Sequence, residues 1–341
     1  MIELAEGAAA IPIELARPLR IVALGGGTGL PRLLSGLAGR ARGACRRPLD
    51  VTAVVTTCDD GGSSGELRRL YRVPSPGDIR NCLVALADEG SPLSEIFQYR
   101  FDGGGGLDGH NLGNLFLAAS ARVRAGVLDA VEFAQQMLGT AGRVLPCTLA
   151  SVRLRAEFLD GGVAEGESQV RAQRRPIARI GLVPPDPPGA PGAADAIAAA
   201  DLVILGPGSL YTSILAVLAV PDMARALRET RAVRVLVLNL MTEPGETDGY
   251  GGRDHLRALD THLGARAVDV VLANNAEVPA EVRARYAAQG MFPVGADEEA
   301  FRALGVPVVL APLLAPQDAA RHHPESLAAA MPRCLGAVVR A

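Results

Sequence analysis

The stretch Arg20-Ile21-Val22-Ala23-Leu24-Gly25-Gly26-Gly27-Thr28-Gly29-Leu30-Pro31-Arg32 decides the fold. Ile21 to Leu24 make a short apolar run that reads as a buried strand. The glycines behind it permit a tight turn at positive φ with no Cβ in the way. A helix is expected straight after, with Pro31 at its first position and Leu33, Leu34 and Leu37 on one face. In such a strand-turn-helix unit, unpaired backbone N–H groups and the positive end of the helix dipole converge, so an anion is favoured there. A phosphate or diphosphate is the expected ligand; a glycine turn that merely packs closely is the alternative. The dinucleotide fingerprint is not met, because Leu30 stands at its third glycine position. A Walker P-loop is excluded, since the chain contains no lysine.

The 341 residues, 49% of them hydrophobic, suffice for one large α/β core or two smaller ones. Net charge is −3, all 34 basic residues are arginines scattered among acids, and aromatics are 4% of the chain. No basic face with stacking platforms can be built from that, so nucleic acid is not an expected partner. Without lysine, Schiff-base chemistry is excluded as well. The cysteines at 45, 58, 82, 147 and 334 lack any Cys-x-x-Cys spacing and read as free thiols in a reducing compartment. Residues 1–19 carry Glu3, Glu6 and Glu14 and no basic leader, and no apolar run reaches membrane-spanning length. A cytoplasmic protein with a loose N-terminal arm is expected.

A second strand-loop-helix unit runs from Asp50 through Cys58-Asp59-Asp60-Gly61-Gly62-Ser63-Ser64-Gly65 into Glu66 to Leu70. Asp59 and Asp60, at a strand end among glycines and hydroxyls, can hold a Mg²⁺ on a diphosphate, or can cap the next helix. In Pro76-Gly77-Asp78-Ile79-Arg80-Asn81, Asp78 reads as a helix N-cap. Arg80 in the first turn opposes the dipole, which suggests a phosphate partner or a salt bridge to Asp59 or Asp60. Phe101 to Gly106 reads as a mobile glycine loop before a helix from about Leu112 to Val123. His110, Asn111 and Asn114 gather at that helix start and offer donors and acceptors to a sugar or base, though an elaborate cap uses the same residues.

From Ser151 to Gln173 the period changes to two, with a turn at Asp160-Gly161-Gly162, and the segment reads as an antiparallel hairpin insertion. A third unit starts at Leu202 to Leu205 and ends in Gly206-Pro207-Gly208-Ser209-Leu210-Tyr211-Thr212-Ser213, a second phosphate or ribose cradle before a helix from Ile214 to Leu218. Further strands are expected at Arg234 to Leu238, Val268 to Leu272 and Val308 to Leu310. The fold class is therefore a three-layer α/β/α Rossmann-like domain over residues 20–341, with a mostly parallel sheet and the hairpin at 151–173. Glu243, Glu246, Asp248 and the histidines 255, 262, 322 and 323 carry no signal individually, and His255 and His262, seven apart, suit a solvated helix face.

Taken together, Gly25-Gly-Gly-Thr-Gly-Leu, Asp59-Asp-Gly-Gly-Ser-Ser-Gly, Pro76-Gly-Asp-Ile-Arg-Asn, His110-Asn-Leu-Gly-Asn-Leu, Gly206-Pro-Gly-Ser-Leu-Tyr-Thr-Ser and Asn239-Leu-Met-Thr-Glu-Pro-Gly-Glu-Thr resemble the YvcK/CofD family from Arg20 to the C-terminal helix. One branch of that family comprises gluconeogenesis factors, which bind UDP-N-acetylglucosamine and related UDP-sugars and act in carbon metabolism, cell-envelope growth and cell shape. The other is the Mg²⁺-dependent 2-phospho-L-lactate transferase, which moves a phospho-linked group from a guanosine diphosphate donor to a deazaflavin. Ser63-Ser64 and the Pro-Gly-Asp-Ile-Arg-Asn stretch look like the first branch.

The resemblance implies that Gly26, Gly27, Thr28 and Gly29 hold the diphosphate and Asp59 the metal or reactive end. It further implies that Asn111 and Asn114 hold the nucleotide and that Gly208, Ser209 and Leu210 complete its pocket. Tyr286 and Arg321 sit where sugar-nucleotide-binding members have a Tyr and an Arg, although Arg321-His322-His323 departs from the usual Arg-His-Asp. Asp60, Ser63, Ser64, Arg80, Asn81 and His110 complete the candidate set. No cofactor is obligatory on this reading, Mg²⁺ is the metal it admits, and a homo-oligomer or a regulatory protein partner remains open.

Overall fold

The computed structural model describes residues 17–43, 47–88 and 90–339. Cys45 and the N-terminal arm up to residue 16 lie outside them. The chain starts with β1 (Leu19–Gly25), α1 (Gly29–Arg42) and β2 (Leu49–Val55), and continues through α2 (Gly62–Tyr71), α3 (Gly77–Leu86) and α4 (Pro92–Gln98). Then come α5 (Leu112–Val123), α6 (Val127–Leu138) and β3 (Arg143–Pro146). A small sheet follows, of β4 (Arg153–Phe158), β5 (Val163–Glu165) and, after α7 (Glu167–Gln173), β6 (Ile177–Val183). The second half holds α8 (Ala193–Ala199), β7 (Leu202–Leu205), a π-helical turn (Leu210–Leu215), α9 (Ala216–Leu218), α10 (Pro221–Glu229) and β8 (Val233–Val237). It closes with α11 (Gly252–Leu263), β9 (Val270–Asn274), α12 (Ala280–Ala287), α13 (Glu298–Ala303), β10 (Val308–Ala311), the ribbon β11 (Leu314–Ala315) and β12 (Asp318–His322), and α14 (Pro324–Val339).

Seven strands form one sheet in the order β10-β9-β8-β7-β1-β2-β3, and every neighbouring pair is parallel. The fully apolar strands require cover on both faces. Ile21 and Ala23 of β1 point into a core with Leu33, Leu34 and Leu37 of α1, while Val22 and Leu24 point into the opposite core with the small sheet. The expected leucine face of the first helix is thus buried. The helix itself starts two residues early, at Gly29, leaving Pro31 inside the first turn, where no N–H is needed. No single helix among the described residues is long and apolar enough to cross a membrane.

Several expectations need correcting. The hairpin at 151–173 is the first part of a three-stranded antiparallel sheet, β5-β4-β6, because β5 is cut short at Gly166, which at φ 95° turns the chain into α7. Val170 is therefore helical. Asp78 is not an N-cap: Pro76 holds that position, and the Asp78 side chain turns inward to the glycine loop. The segment after Ser209 is a π-helical turn before it is an α-helix. His255 and His262 do not lie on a solvated face. His255 packs edge-on to Tyr250 and His262 to Tyr211, each with ring centres 5.7 Å apart, and burial lowers the pKa of both. Two rings seven residues apart share one side of a helix, and here that side faces inward. Cys58, Cys82, Cys147 and Cys334 are buried free thiols.

Candidate functional site

The sheet order reverses direction between β1 and β7, and ligands of open α/β sheets bind beyond the strand carboxyl ends at such a point. Both glycine loops end there. The Gly206 N–H donates to the Leu24 carbonyl at 2.9 Å, which ties the second loop to the end of β1. A Cβ on Gly29 would lie 2.5 Å from the Pro207 carbonyl oxygen, and one on Gly26 would strike the Asp78 carboxylate and the Thr56 methyl. Only glycine lets the two loops touch here.

Around them is a cleft of about 470 Å³. Gly27, Thr28, Gly29, Gly208 and Ser209 line one side; Tyr286 and Arg321 line it too, from α12 and β12. Asp318 organises the latter pair: it accepts from Arg321 Nε at 3.1 Å and lies 3.5 Å from the Tyr286 hydroxyl. Arg32, half-buried in the first turns of α1, also lines the cleft and has no hydrogen bond or ion pair among the described residues. Next to Arg321, His322 is buried, donates Nε2–H to the Leu238 carbonyl at 3.2 Å, and is pushed down to about 4 by burial, so it is neutral.

A wall of carboxylates completes the cleft, and the sequence did not reveal it. Glu243 accepts from the Ser209 hydroxyl at 2.6 Å and from Asn239 Nδ2 at 3.2 Å. Glu246 accepts from the Thr212 hydroxyl at 3.0 Å and its N–H at 3.3 Å. Arg171 of α7 lies 3.6 Å from Glu167, 3.8 Å from Glu243 and 3.6 Å from Glu246, so one cation serves three acids. Burial raises the pKa of Glu243 and Glu246, and burial with the fields of Asp59 and Asp78 pushes Glu167 up to about 9. The only linear signal was the pair of acids in the Thr-Glu-Pro-Gly-Glu-Thr loop. Their partner Arg171 is some seventy residues away in the chain.

Asp59 sits at the end of β2, its Oδ1 accepting the Gly61 N–H at 2.9 Å and its Oδ2 beside Gly77 with no donor among the described residues. Asp78 lies next to it, pushed up to about 6 chiefly by burial. No group of three or more metal-ligating side chains occurs among the described residues. A Mg²⁺ would therefore rest on Asp59 with ligand phosphates and water, a donor set that suits this ion. Arg80 reaches neither Asp59 nor Asp60 by a salt bridge; its guanidinium hydrogen-bonds Asn81.

The structure separates the other candidates from the cleft. Asp60 turns away and accepts the Ser168 N–H at 2.9 Å and hydroxyl at 2.7 Å. Leu210 is buried at the start of the π-helical turn. Ser63, Ser64, His110, Asn111 and Asn114 form a buried network behind the Asp59 loop. Ser63 Oγ accepts from the Asn111 N–H and from Asn114 Nδ2, each at 3.3 Å, which leaves its hydrogen for His110 Nδ1 at 3.2 Å. His110 Nε2–H then faces Glu66 at 3.2 Å. Asn111 caps α5 by accepting the Asn114 N–H at 3.2 Å, as the capping alternative expects, while Asn114 Oδ1 is buried with no partner among the described residues. Asn111→Ala is expected to cost about 1–2 kcal/mol in a denaturant melt, through the lost cap and the freed Gln98 carbonyl, while nucleotide affinity stays within about twofold.

The comparisons agree with this architecture. The CofD family, described as 2-phospho-L-lactate transferase CofD, matches residues 21–314. The gluconeogenesis factor of Bacillus subtilis is 43% identical over 290 residues, covering 85% of this chain and 89% of the relative. That of Listeria monocytogenes is 36% identical over 318 residues, covering 92% and 94%. A crystal structure of a Bacillus halodurans protein superposes with a TM-score of 0.87 at 38% identity, over 92% of this chain and 99% of that one. With seven parallel strands, two touching glycine loops and these matches along most of its length, the chain belongs to the YvcK/CofD family.

Proposed function

We propose that this chain binds a nucleotide diphosphate sugar of the UDP-N-acetylglucosamine kind in the switch-point cleft, and that it does so as a cytoplasmic regulatory factor of carbon metabolism, cell-envelope growth and cell shape. The observation that carries the reading is the contact of Gly29 with the Pro207 carbonyl, which brings two glycine loops to one point. Backbone N–H groups there suit a diphosphate, with Arg32 as an unpaired cation beside them. Across the cleft, Tyr286 and Arg321 are held by one carboxylate and offer an aromatic face and a fork of donors to a sugar. The gluconeogenesis-factor names of the relatives point the same way.

The transferase alternative draws on the description of the matched family and on Asp59, whose free Oδ2 could seat a Mg²⁺ that neutralises charge on a diphosphate. Calorimetric titration with UDP-N-acetylglucosamine, with GDP plus Mg²⁺ beside it, separates the two. Micromolar binding of the uridine ligand without product, weakened at least tenfold (about 1.4 kcal/mol) in Arg321→Ala, is the expected result. Binding of GDP alone, lost in Asp59→Asn and accompanied by transfer of a phospho-linked group, would overturn it.

A further inference from the structure

A second cavity lies on the far side of the Asp59-Asp60 loop. It is an open groove of about 770 Å³ between the C-terminal end of α2 and the end of the small sheet where β4 starts and β6 stops, within the size range of small-molecule sites. Four arginines line it: Arg68, Arg69, Arg72 and Arg153. Of these only Arg153 has a carboxylate partner among the described residues, Glu165 at 2.8 Å. The half-buried Arg68 guanidinium is pinned by neutral groups, the Val152 carbonyl at 2.6 Å and the Cys58 carbonyl at 3.5 Å, which fix its position without cancelling its charge. Arg69 and Arg72 are exposed and have no hydrogen bond or ion pair from their side chains among the described residues.

The two acids in the lining, Asp60 and Glu66, offset this set only in part. Asp60 is taken by the Ser168 N–H and hydroxyl, and Glu66 faces His110. Four guanidiniums against two carboxylates in the lining, in a chain whose net charge is −3, leave a local excess of positive charge. Guanidinium forks match the oxygens of phosphoryl groups in charge and in spacing. No aromatic ring lines the groove, so it lacks the stacking surface that a nucleic-acid strand would use. The groove is also separate from the nucleotide cleft: the Asp60–Ser168 hydrogen bonds stand between them, with Glu167 facing the cleft on the other side.

We infer that this arginine groove is a second ligand site, taking a small molecule that carries two or more phosphoryl groups. Inorganic tripolyphosphate is a suitable probe, titrated calorimetrically into wild-type protein, an Arg69→Ala/Arg72→Ala double variant and Arg321→Ala. The groove assignment predicts two binding events in wild type, one of them weakened at least tenfold in the double variant and retained in Arg321→Ala. Both substituted side chains are exposed, and an unchanged melting temperature would show that the fold is intact. Unaltered tripolyphosphate binding in the double variant would overturn the groove. Unaltered binding of UDP-N-acetylglucosamine by Arg321→Ala would count instead against the cleft reading, so the two failures are distinguishable. Tight binding of poly-glutamate with none of tripolyphosphate would also overturn the assignment, in favour of an acidic protein segment.

Discussion

Gly29→Ala is expected to destabilise the protein by about 2–3 kcal/mol and to weaken nucleotide binding at least a hundredfold, roughly 2.7 kcal/mol or more. A Cβ at this position would meet the Pro207 carbonyl oxygen at 2.5 Å, the carbonyl carbon at 2.7 Å and the Gly208 nitrogen at 3.0 Å. All three are backbone atoms of the facing loop, so no side-chain rotation relieves the contact. The loops must move apart, and the N–H groups of both lose their common focus. A drop in melting temperature of about 5 °C with affinity lost is the expected pattern. An affinity unchanged while stability falls would show that the two loops do not share one ligand. Gly39, on the same helix with nothing within 4 Å of a built Cβ, supplies the control, and Gly39→Ala should be neutral or slightly stabilising.

The second large effect concerns the acids around Arg171. Arg171→Ala should cost about 2 kcal/mol at pH 8.5 and little at pH 5. The figure sits below that of a fully buried pair because the Arg171 side chain is half exposed and partly screened. The sign follows from linkage: Glu167 rises from 4.5 to about 9 on folding, so the folded chain holds a proton that the unfolded chain has released. The stability this group contributes is fully present below pH 4.5 and is lost progressively as pH rises to about 9. Asp78, raised from 3.8 to about 6, behaves alike in its own lower window. Removing the one nearby cation raises the carboxyl pKa values further and steepens the loss. Melting curves from pH 5 to 9 read this directly, and Glu246→Gln should flatten the profile and partly rescue the Arg171→Ala protein. A pH-independent loss would mean that Arg171 acts by packing alone.

The same geometry bears on ligand binding. A diphosphate that draws Arg171 away from its acids leaves Glu243 and Glu246 to take up protons, Glu167 already holding one. Binding should therefore tighten as pH falls and should be accompanied by proton uptake, measurable by calorimetry in buffers of different ionisation enthalpy.

Much of the architecture was legible in the sequence, because it rests on local patterns. The run Ile21 to Leu24, the glycines after it and the leucines at 33, 34 and 37 specify strand, turn and helix through hydrophobic period and the absence of Cβ atoms. The repetition of that unit specifies a parallel sheet with helices on both faces. Leu112–Val123 and Leu202–Leu205 fell where their patterns placed them. What failed locally did so for identifiable reasons. Asp78 has the composition of a cap, but burial beside the glycine loop outweighs that preference, and His255 and His262 sit on the helix face that carries the buried Leu256, Leu259 and Leu263.

The chain by itself thus determined six of the seven strands of the main sheet, their order along the chain and the two glycine loops, since each depends on residues adjacent in sequence. Only the tertiary structure decided which polar groups meet. It placed Arg171 against Glu167, Glu243 and Glu246, hung Tyr286 and Arg321 on Asp318, drew His110 and Asn114 behind the Asp59 loop, and gathered four arginines around a separate groove. Those pairings join side chains from different parts of the fold, and no period or propensity encodes a distance between them.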